Sequence, residues 1–324
     1  MKKLVLIDAM SVLHRAYHAY PLSLRTADGE LTNAVYGFSS ILLNLIEKTQ
    51  PTHVAVAWDV GKPTFRHTAY EKYKEHRQKP DQEMLDQIDR TKEVVDTLNI
   101  PQFGVEGFEA DDLVGTLSRL AAEEKDGLPA GRQAQVQVVI LTGDRDALQL
   151  VEGIKVIVWM PPAGGYGNRA SNGPVIYDEE GVELKYGLKP KQIIDLKGLM
   201  GDASDEIPGV KGIGQVTATK LLQKFGSVEA IYEAVDKHPE EVEAIVRRKG
   251  LDLLIGGREM AKLSKELATI HREVPIKLSW DKCKLSDYDR EKVLELFEKL
   301  QFRSLIKKLP KDEWEKELGE VFLK

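Results

Sequence analysis

The sequence predicts an α/β protein in which a doubly wound, mainly parallel sheet over residues 1–177 is followed by a helical region over 178–324. Three observations predict it. Short apolar runs rich in Val and Ile, at 4–7, 54–58 and 136–141, each lead into an aspartate: Asp8, Asp59 and, after Thr142-Gly143, Asp144. They do not alternate with polar residues, which is the pattern of strands buried on both faces. Stretches with apolar residues at helical spacing lie between them, and beyond about Asp178 the pattern is helical throughout. Strands alternating with helices build a parallel sheet, whose ligands bind beyond the carboxyl ends of its strands. The three aspartates sit at those ends.

Taken in order, the helices expected in the first region span 33–48, 89–98 (closed by Asn99-Ile100-Pro101) and 110–124. Two Gly/Pro-rich stretches, 126–131 and 160–174, read as exposed turns. The second region should carry helices at 190–200, 216–225, 227–235, 239–249, 258–269 and 287–300, punctuated by Gly and Pro.

Composition narrows the classes. With 42% hydrophobic and 30% charged residues the chain is globular and not disordered. A single cysteine, Cys283, excludes an internal disulfide framework and a cysteine-clustered zinc site. The first apolar run ends at Asp8, too soon for a signal-peptide core, and no stretch approaches the ~20 apolar residues of a membrane span. A cytoplasmic protein with no membrane partner is expected. The net charge of −6 argues against a uniformly basic nucleic-acid binder, but acids and bases are segregated along the chain.

Acids stand with little apolar company at Asp8, at Asp59, at Glu109 with Asp111 and Asp112, at Asp144 with Asp146, and at Asp202 with Asp205. Singly, each has an ordinary structural role. Asp8 or Asp146 could cap a helix, Asp111 or Asp112 could complement a helix dipole, and Asp202 and Asp205 could shape a turn. Gathered at one sheet edge, they would raise one another's pKa values and destabilise the fold unless cations neutralised them. Oxygen ligands without His or Cys suit Mg²⁺ or Mn²⁺, and so large a set suits two ions, the usual device for displacement at phosphorus.

Bases are dense between 62 and 92: Lys62, Arg66, Lys72, Lys74, Arg77, Lys79, Arg90 and Lys92, with His67, His76, Tyr70 and Tyr73 interleaved. Cations pair with phosphates and aromatic faces stack on unpaired bases, although Glu71, Glu75, Asp81, Glu83 and Asp86 also allow a solvated helix face. A second basic site spans 207–224. Its glycines Gly209, Gly212 and Gly214 precede a helix, Lys211, Lys220 and Lys224 are unaccompanied by any acid, and Gln215 and Thr217 open the helix. Glycines there let backbone N–H groups approach a phosphate, which gives a sequence-independent grip on duplex backbone. The alternative is a helix–turn–helix corner that needs glycine for tightness.

Together these residues resemble the 5′-nuclease superfamily of flap endonucleases and 5′→3′ exonucleases, most closely the N-terminal nuclease domain of bacterial DNA polymerases of the first type. The resemblance runs from Leu4 to about Phe302. It is carried by Leu6-Ile7-Asp8, Arg15-Ala16-Tyr17-His18-Ala19, Thr64-Phe65-Arg66, Tyr73-Lys74-Glu75-His76-Arg77, Glu109-Ala110-Asp111-Asp112, Thr142-Gly143-Asp144-Arg145-Asp146 and 201–210. The resemblance implies a PIN-like core with a basic helical arch at 62–92 and a helix–three-turn–helix DNA-binding region. It implies one ion held mainly by Asp8, Asp59, Glu109 and Asp111, and another nearer Asp144, Asp146, Asp202 and Asp205, with Asp112 in support. It also gives Lys74, Arg77 and Arg66 a catalytic place at the gateway for a single-stranded 5′ end. His14, Arg15, Tyr17 and Tyr73 become nucleic-acid contacts, and the 209–215 hairpin, with Thr217 and Lys220, a holder of duplex DNA, often with K⁺. Family members leave a 5′-phosphate and a 3′-hydroxyl. Where the family usually has Gly then Ser or Thr after the first aspartate, this chain has Ala9 and Met10, and His14 stands where an aromatic is expected.

The expected activity is therefore a Mg²⁺- or Mn²⁺-dependent, structure-specific 5′ nuclease, a monomer acting on DNA flaps, nicks or ends, including RNA-primed ones, in replication and repair. The chain would be free-standing or a fragment of a longer polymerase. Two other readings stand beside it: a DNA-junction-binding module without turnover, which the complete acid set disfavours, and an RNA-cleaving PIN-type nuclease, which the long helical region disfavours.

Overall fold

The computed structural model describes residues 2–61, 63–123, 136–162, 173–285 and 288–310. Lys62, the 126–131 turn and all but the ends of 160–174 lie outside them. Six strands form one sheet: β1 (Lys2–Asp8), β2 (His53–Ala57), β3 (Gln102–Phe103), β4 (Val136–Leu141), β5 (Val156–Met160) and β6 (Val175–Tyr177). Their order is β3-β2-β1-β4-β5-β6, parallel except for β6, which runs against β5. The three expected strands lie side by side, with β1 between β2 and β4.

Burial explains their unbroken apolar runs. Val5 and Ile7 of β1, Val54 and Val56 of β2, and Val139 and Leu141 of β4 point into one core. Their neighbours Leu4, Leu6, Ala55, Ala57, Val138 and Ile140 point into the other. Successive side chains of a strand face opposite ways, so a sheet covered on both sides demands apolar residues at every position.

The helices of the first region are α1 (Ala9–Ala19), α2 (Asn33–Thr49), α3 (Phe65–Ala69), α4 (Gln82–Leu85), α5 (Ile88–Thr97) and α6 (Ala110–Glu123). Those of the second are α7 (Glu179–Tyr186), α8 (Ile193–Met200), α9 (Gln215–Phe225), α10 (Val228–Lys237), α11 (Pro239–Gly256), α12 (Arg258–Ala268), α13 (Trp280–Cys283), α14 (Arg290–Lys299) and α15 (Arg303–Ile306). Residues from α8 to α12 form a separate apolar core around Leu199, Leu221, Ile231 and Leu254. Among the described residues no helix is long and apolar enough to cross a membrane.

Two expectations need correction. The helical region does not run undivided to the chain end: Leu285, Val293, Phe297, Phe302 and Leu305 return to cover the sheet face shared with α1, α2 and α5. That face would otherwise expose Phe38 and Leu42 to water. The arch is also not a continuous helix. Between α3 and α4, residues 70–81 are turns and irregular chain. There Lys74 adopts a left-handed φ of 52°, its N–H held by the Asp205 carbonyl at 3.2 Å, and Pro80 cannot donate to a helix ladder.

Candidate metal centre and nucleic-acid interface

The central strand ends in Asp8, which does two jobs. Its Oδ1 accepts the Ser11 N–H at 3.1 Å and caps α1, and its Oδ2 accepts the Thr142 hydroxyl at 2.8 Å. The Thr142 oxygen accepts the Asp144 N–H at 3.0 Å, Asp144 Oδ1 accepts the Asp146 N–H at 2.9 Å, and Ser11 Oγ accepts the Gly143 N–H at 2.8 Å. The ends of β1 and β4 are thus sewn together with three carboxylates between them. Beyond β2, Asp59 accepts the Ala110 N–H at 2.8 Å, which draws the start of α6, with Glu109 and Asp111, to the same edge.

The field at that edge is strongly negative. Burial, then the charges of Asp59 and Asp144, push the Asp8 carboxyl up to about 7. Burial and Asp144 do the same to Asp146, also about 7, against the pull of Lys197. Burial together with Asp8, Asp144 and Asp146 holds Asp111 well above the usual carboxylate range. Asp59 and Asp205 are raised too, chiefly by burial.

Two acids behave oppositely because lysines reach them. Against its own burial, Glu109 is held low by Lys74 and Arg66; Lys74 Nζ lies 3.0 Å from its Oε2 and the Tyr73 hydroxyl donates to the same oxygen at 3.2 Å. Lys74 also stands 3.7 Å from Asp205. Asp202, similarly buried, is held low by Lys197 and by Ser204. Lys197 Nζ donates to both Asp146 and Asp202.

Among the described residues no three His, Cys, Asp or Glu side chains close around one point tightly enough to hold an ion as they stand. The donor chemistry nevertheless fits divalent cations: the cluster is all carboxylate, and Asp8, Asp111 and Asp146 stay raised even though Lys74 pulls on Asp111 and Lys197 on Asp146. Asp8, Asp59, Glu109, Asp111, Asp144, Asp146, Asp202 and Asp205 are the residues available.

Asp112 is not among them. It is wholly buried, with Oδ1 accepting from Arg66 Nη2 (2.7 Å) and the His271 N–H (2.8 Å), and Oδ2 from Arg66 Nη1 (2.9 Å) and the Glu109 N–H (3.1 Å). Arg66 is equally committed: 3% exposed, it also donates to the carbonyls of Leu267 and Thr269. The pair is a buried clasp between the arch base, α6 and the segment after α12, and Arg66 cannot meet a substrate. Tyr17 and Tyr73 are buried as well, and Arg15 donates to the carbonyls of Pro161 and Pro162 at 2.9 and 2.7 Å. Tyr73 braces Glu109, Tyr17 donates to Glu83 at 3.4 Å, and Arg15 is half-buried. His14 is exposed beside His18, their Nε2 atoms 3.3 Å apart, and Arg77 is exposed within the field of His14, Asp59 and Asp205.

The glycine hairpin is built onto the acid loop. Asp202 and Ile207 exchange backbone hydrogen bonds of 2.8 and 2.9 Å, and Gly209, at φ 60°, lies so close to Gly201 that a Cβ would sit 2.2 Å from the Gly201 nitrogen. The Gly209 N–H donates to Ser264 Oγ at 2.9 Å. Lys211, Gly212, Gly214, Gln215 and Lys220 are exposed, Thr217 is half-buried, and Gly214 caps α9, whose first turn carries no acid.

Sequence patterning did not single out Lys197, although a lysine inside the largely apolar octet of α8 was a signal. It assigned no role to Ser11, to Thr142, or to the Glu206 carboxylate that accepts the His76 N–H at 2.9 Å and ties the arch to the acid loop.

Comparison with known proteins agrees. The model of the 5′-3′ exonuclease N-terminal resolvase-like domain matches residues 3–187, and that of the 5′-3′ exonuclease C-terminal SAM fold matches 188–291. DNA polymerase I of Bacillus caldotenax is 43% identical over 322 residues, covering 99% of this chain and 34% of that protein. DNA polymerase I of Bacillus subtilis is 41% identical over 316 residues, covering 98% and 33%. The chain therefore spans about a third of the length of these relatives. Among solved structures, T5 5′-exonuclease with bound zinc superposes with a TM-score of 0.64 at 19% identity over 93% of this chain and 99% of that one. The catalytic core of Rad2 in complex with DNA substrate gives 0.56 at 15% identity, over 95% and 91%. At those identities the likeness is one of fold. With both domain models matched in order and together spanning most of its length, the chain belongs to the 5′-3′ exonuclease family and is a nuclease.

Proposed function

We propose that the chain is a structure-specific 5′ nuclease that uses two divalent cations, Mg²⁺ or Mn²⁺, to hydrolyse DNA at flaps, nicks and 5′ ends, including RNA-primed ones. The observation that carries the reading is the convergence of eight carboxylates whose mutual repulsion Lys74 and Lys197 offset only in part, leaving Asp8, Asp111 and Asp146 raised. One ion would be held by Asp8, Asp59, Glu109 and Asp111, the other by Asp144, Asp146, Asp202 and Asp205. When bound, the ions would supply Lewis-acid activation of the attacking water and neutralise charge developing on the phosphate.

The chain's own residues do the rest. Thr142 and Ser11 fix Asp8 and the 142–144 turn so that the acids keep their spacing. Lys74 and Arg77, flanking the acids on the arch, neutralise the phosphate brought between them. Lys211, Lys220 and the N–H groups opening α9 hold the duplex behind the junction, with K⁺ as a further ligand of the hairpin. Water adds to phosphorus and the P–O3′ bond breaks, leaving a 5′-phosphate and a 3′-hydroxyl. We place the activity in the cytoplasm, in a monomer engaged in primer removal and repair. The similarity to DNA polymerase I, T5 5′-exonuclease and the Rad2 core supports this reading.

The end chemistry tests it. The 5′ fragment released from a flap substrate should be extended by terminal transferase without phosphatase treatment, and the shortened strand should accept a kinase label only after dephosphorylation; the opposite behaviour of either end would contradict the proposed scission.

A further inference from the structure

Lys197 stands where α8 would otherwise be apolar around it. Ile193, Leu196 and Leu199 of the same helix are buried in the cores on either side, and Asp195 turns away to the Val228 N–H at 2.9 Å and to Lys265 at 2.7 Å. Lys197 is 13% exposed, and its ammonium lies between Asp146, which follows β4 on the sheet side, and Asp202, which follows α8 on the helical side. Both acids belong to the set proposed for the second ion.

The anchor of this lysine is fixed. Gly198, next to it, packs so closely on α12 that a Cβ there would lie 2.9 Å from Lys265 Cβ and 3.2 Å from the Ala261 carbonyl. The helix cannot shift toward α12, so only the flexible four-carbon stem can move the charge. Lys74 makes a similar bridge between Glu109 and Asp205, but its backbone N–H is bonded to the Asp205 carbonyl as well. The Lys197 bridge is made by the side chain alone and can be given up without moving backbone.

Resting on the two-ion reading, we infer that Lys197 is an internal counter-ion: in the metal-free protein its ammonium fills the second-ion position, and loading that position is an exchange in which the ammonium releases Asp146 and Asp202. A monovalent ammonium satisfies the same carboxylate oxygens as a divalent cation and occupies the interval between them. Two like charges cannot share that interval without strong repulsion. The exchange makes the second ion bind more weakly than the first. It also couples that ion to substrate, because a phosphodiester brought to the edge offers the displaced ammonium a new anionic partner.

The test is Mn²⁺ binding to the full chain without DNA, read from the electron paramagnetic resonance of free Mn²⁺, together with thermal unfolding in EDTA. The parent should show one tight and one weak site. Lys197→Met should tighten the weak site at least tenfold, leave the tight one within about twofold, and lower the unfolding temperature in EDTA, with Mn²⁺ closing the gap. Lys197→Arg, which keeps the charge, should retain a weak second site, with circular dichroism showing both variants folded. A weak site unchanged or weakened further in Lys197→Met would overturn the inference and leave Lys197 a plain structural tie. A parent that binds fewer than two ions would remove the two-ion reading itself, and this inference with it.

Discussion

At the scale of single residues, the acids divide into those that repel one another and one that is fully paired, and the two kinds should respond oppositely to substitution. Asp112→Ala leaves Arg66 buried without its carboxylate partner, a change that costs about 3–5 kcal/mol when a buried pair is broken. Chemical denaturation should show that loss with or without Mg²⁺. Asp144→Ala removes a charge that raises Asp8, Asp111 and Asp146. It should therefore stabilise the EDTA-treated protein, by on the order of 1 kcal/mol, while costing activity at least ~100-fold. Equal destabilisation by both substitutions would mean that the cluster is not electrostatically strained. Which acids mattered was legible in the sequence from their places at strand ends and helix starts. That Asp112 faces away was not, because neighbours on a helix point about 100° apart and only the fold decides which one meets the arginine.

At the scale of elements, the hairpin and the arch read differently from sequence. Glycines before a lysine-bearing, acid-free stretch announced the hairpin, since only glycine tolerates the approach that Gly209 makes to Gly201. Gly209→Ala should destabilise by more than about 1 kcal/mol and weaken duplex binding, measured by melting and by anisotropy of a labelled duplex. Lys211→Ala and Lys220→Ala should leave melting unchanged and each reduce the slope of log K against log salt by about 1; an unchanged slope would take the hairpin off the DNA. The arch misled because charge density and helical propensity look alike along 62–92. The left-handed Lys74 and the tethers to Asp205 and Glu206 are set by contacts 130 residues away in the chain. Helix α14 was legible as a helix, but its destination on the sheet face was not, because an amphipathic stripe does not name its partner.

For the whole molecule, metal and protons should compete for one site. Asp8 and Asp146 have an ordinary value of 3.8 and stand at about 7 when folded. Between those pH values the folded chain binds more protons than the unfolded chain, so these groups favour folding at the acid end and withdraw that support as pH rises through 7. Glu109 and Asp202, held low, act in the other direction only below about 4. In EDTA the protein should thus lose at least ~2 kcal/mol between pH 5 and pH 8, and Mg²⁺ should abolish the loss. Melting curves at the two pH values check this, and an EDTA-treated protein equally stable at both would contradict it.

Whether the gathered acids make a metal-dependent 5′ nuclease is decided by cleavage of a 5′-labelled flap duplex with Mg²⁺, with EDTA, and with Asp144→Ala in place of the parent. Cutting near the junction with Mg²⁺, and none in either control, is the expected result. No cutting by the parent, with tight and salt-sensitive binding to the same junction, would contradict it and make the chain a DNA-holding protein whose acids never reach productive geometry.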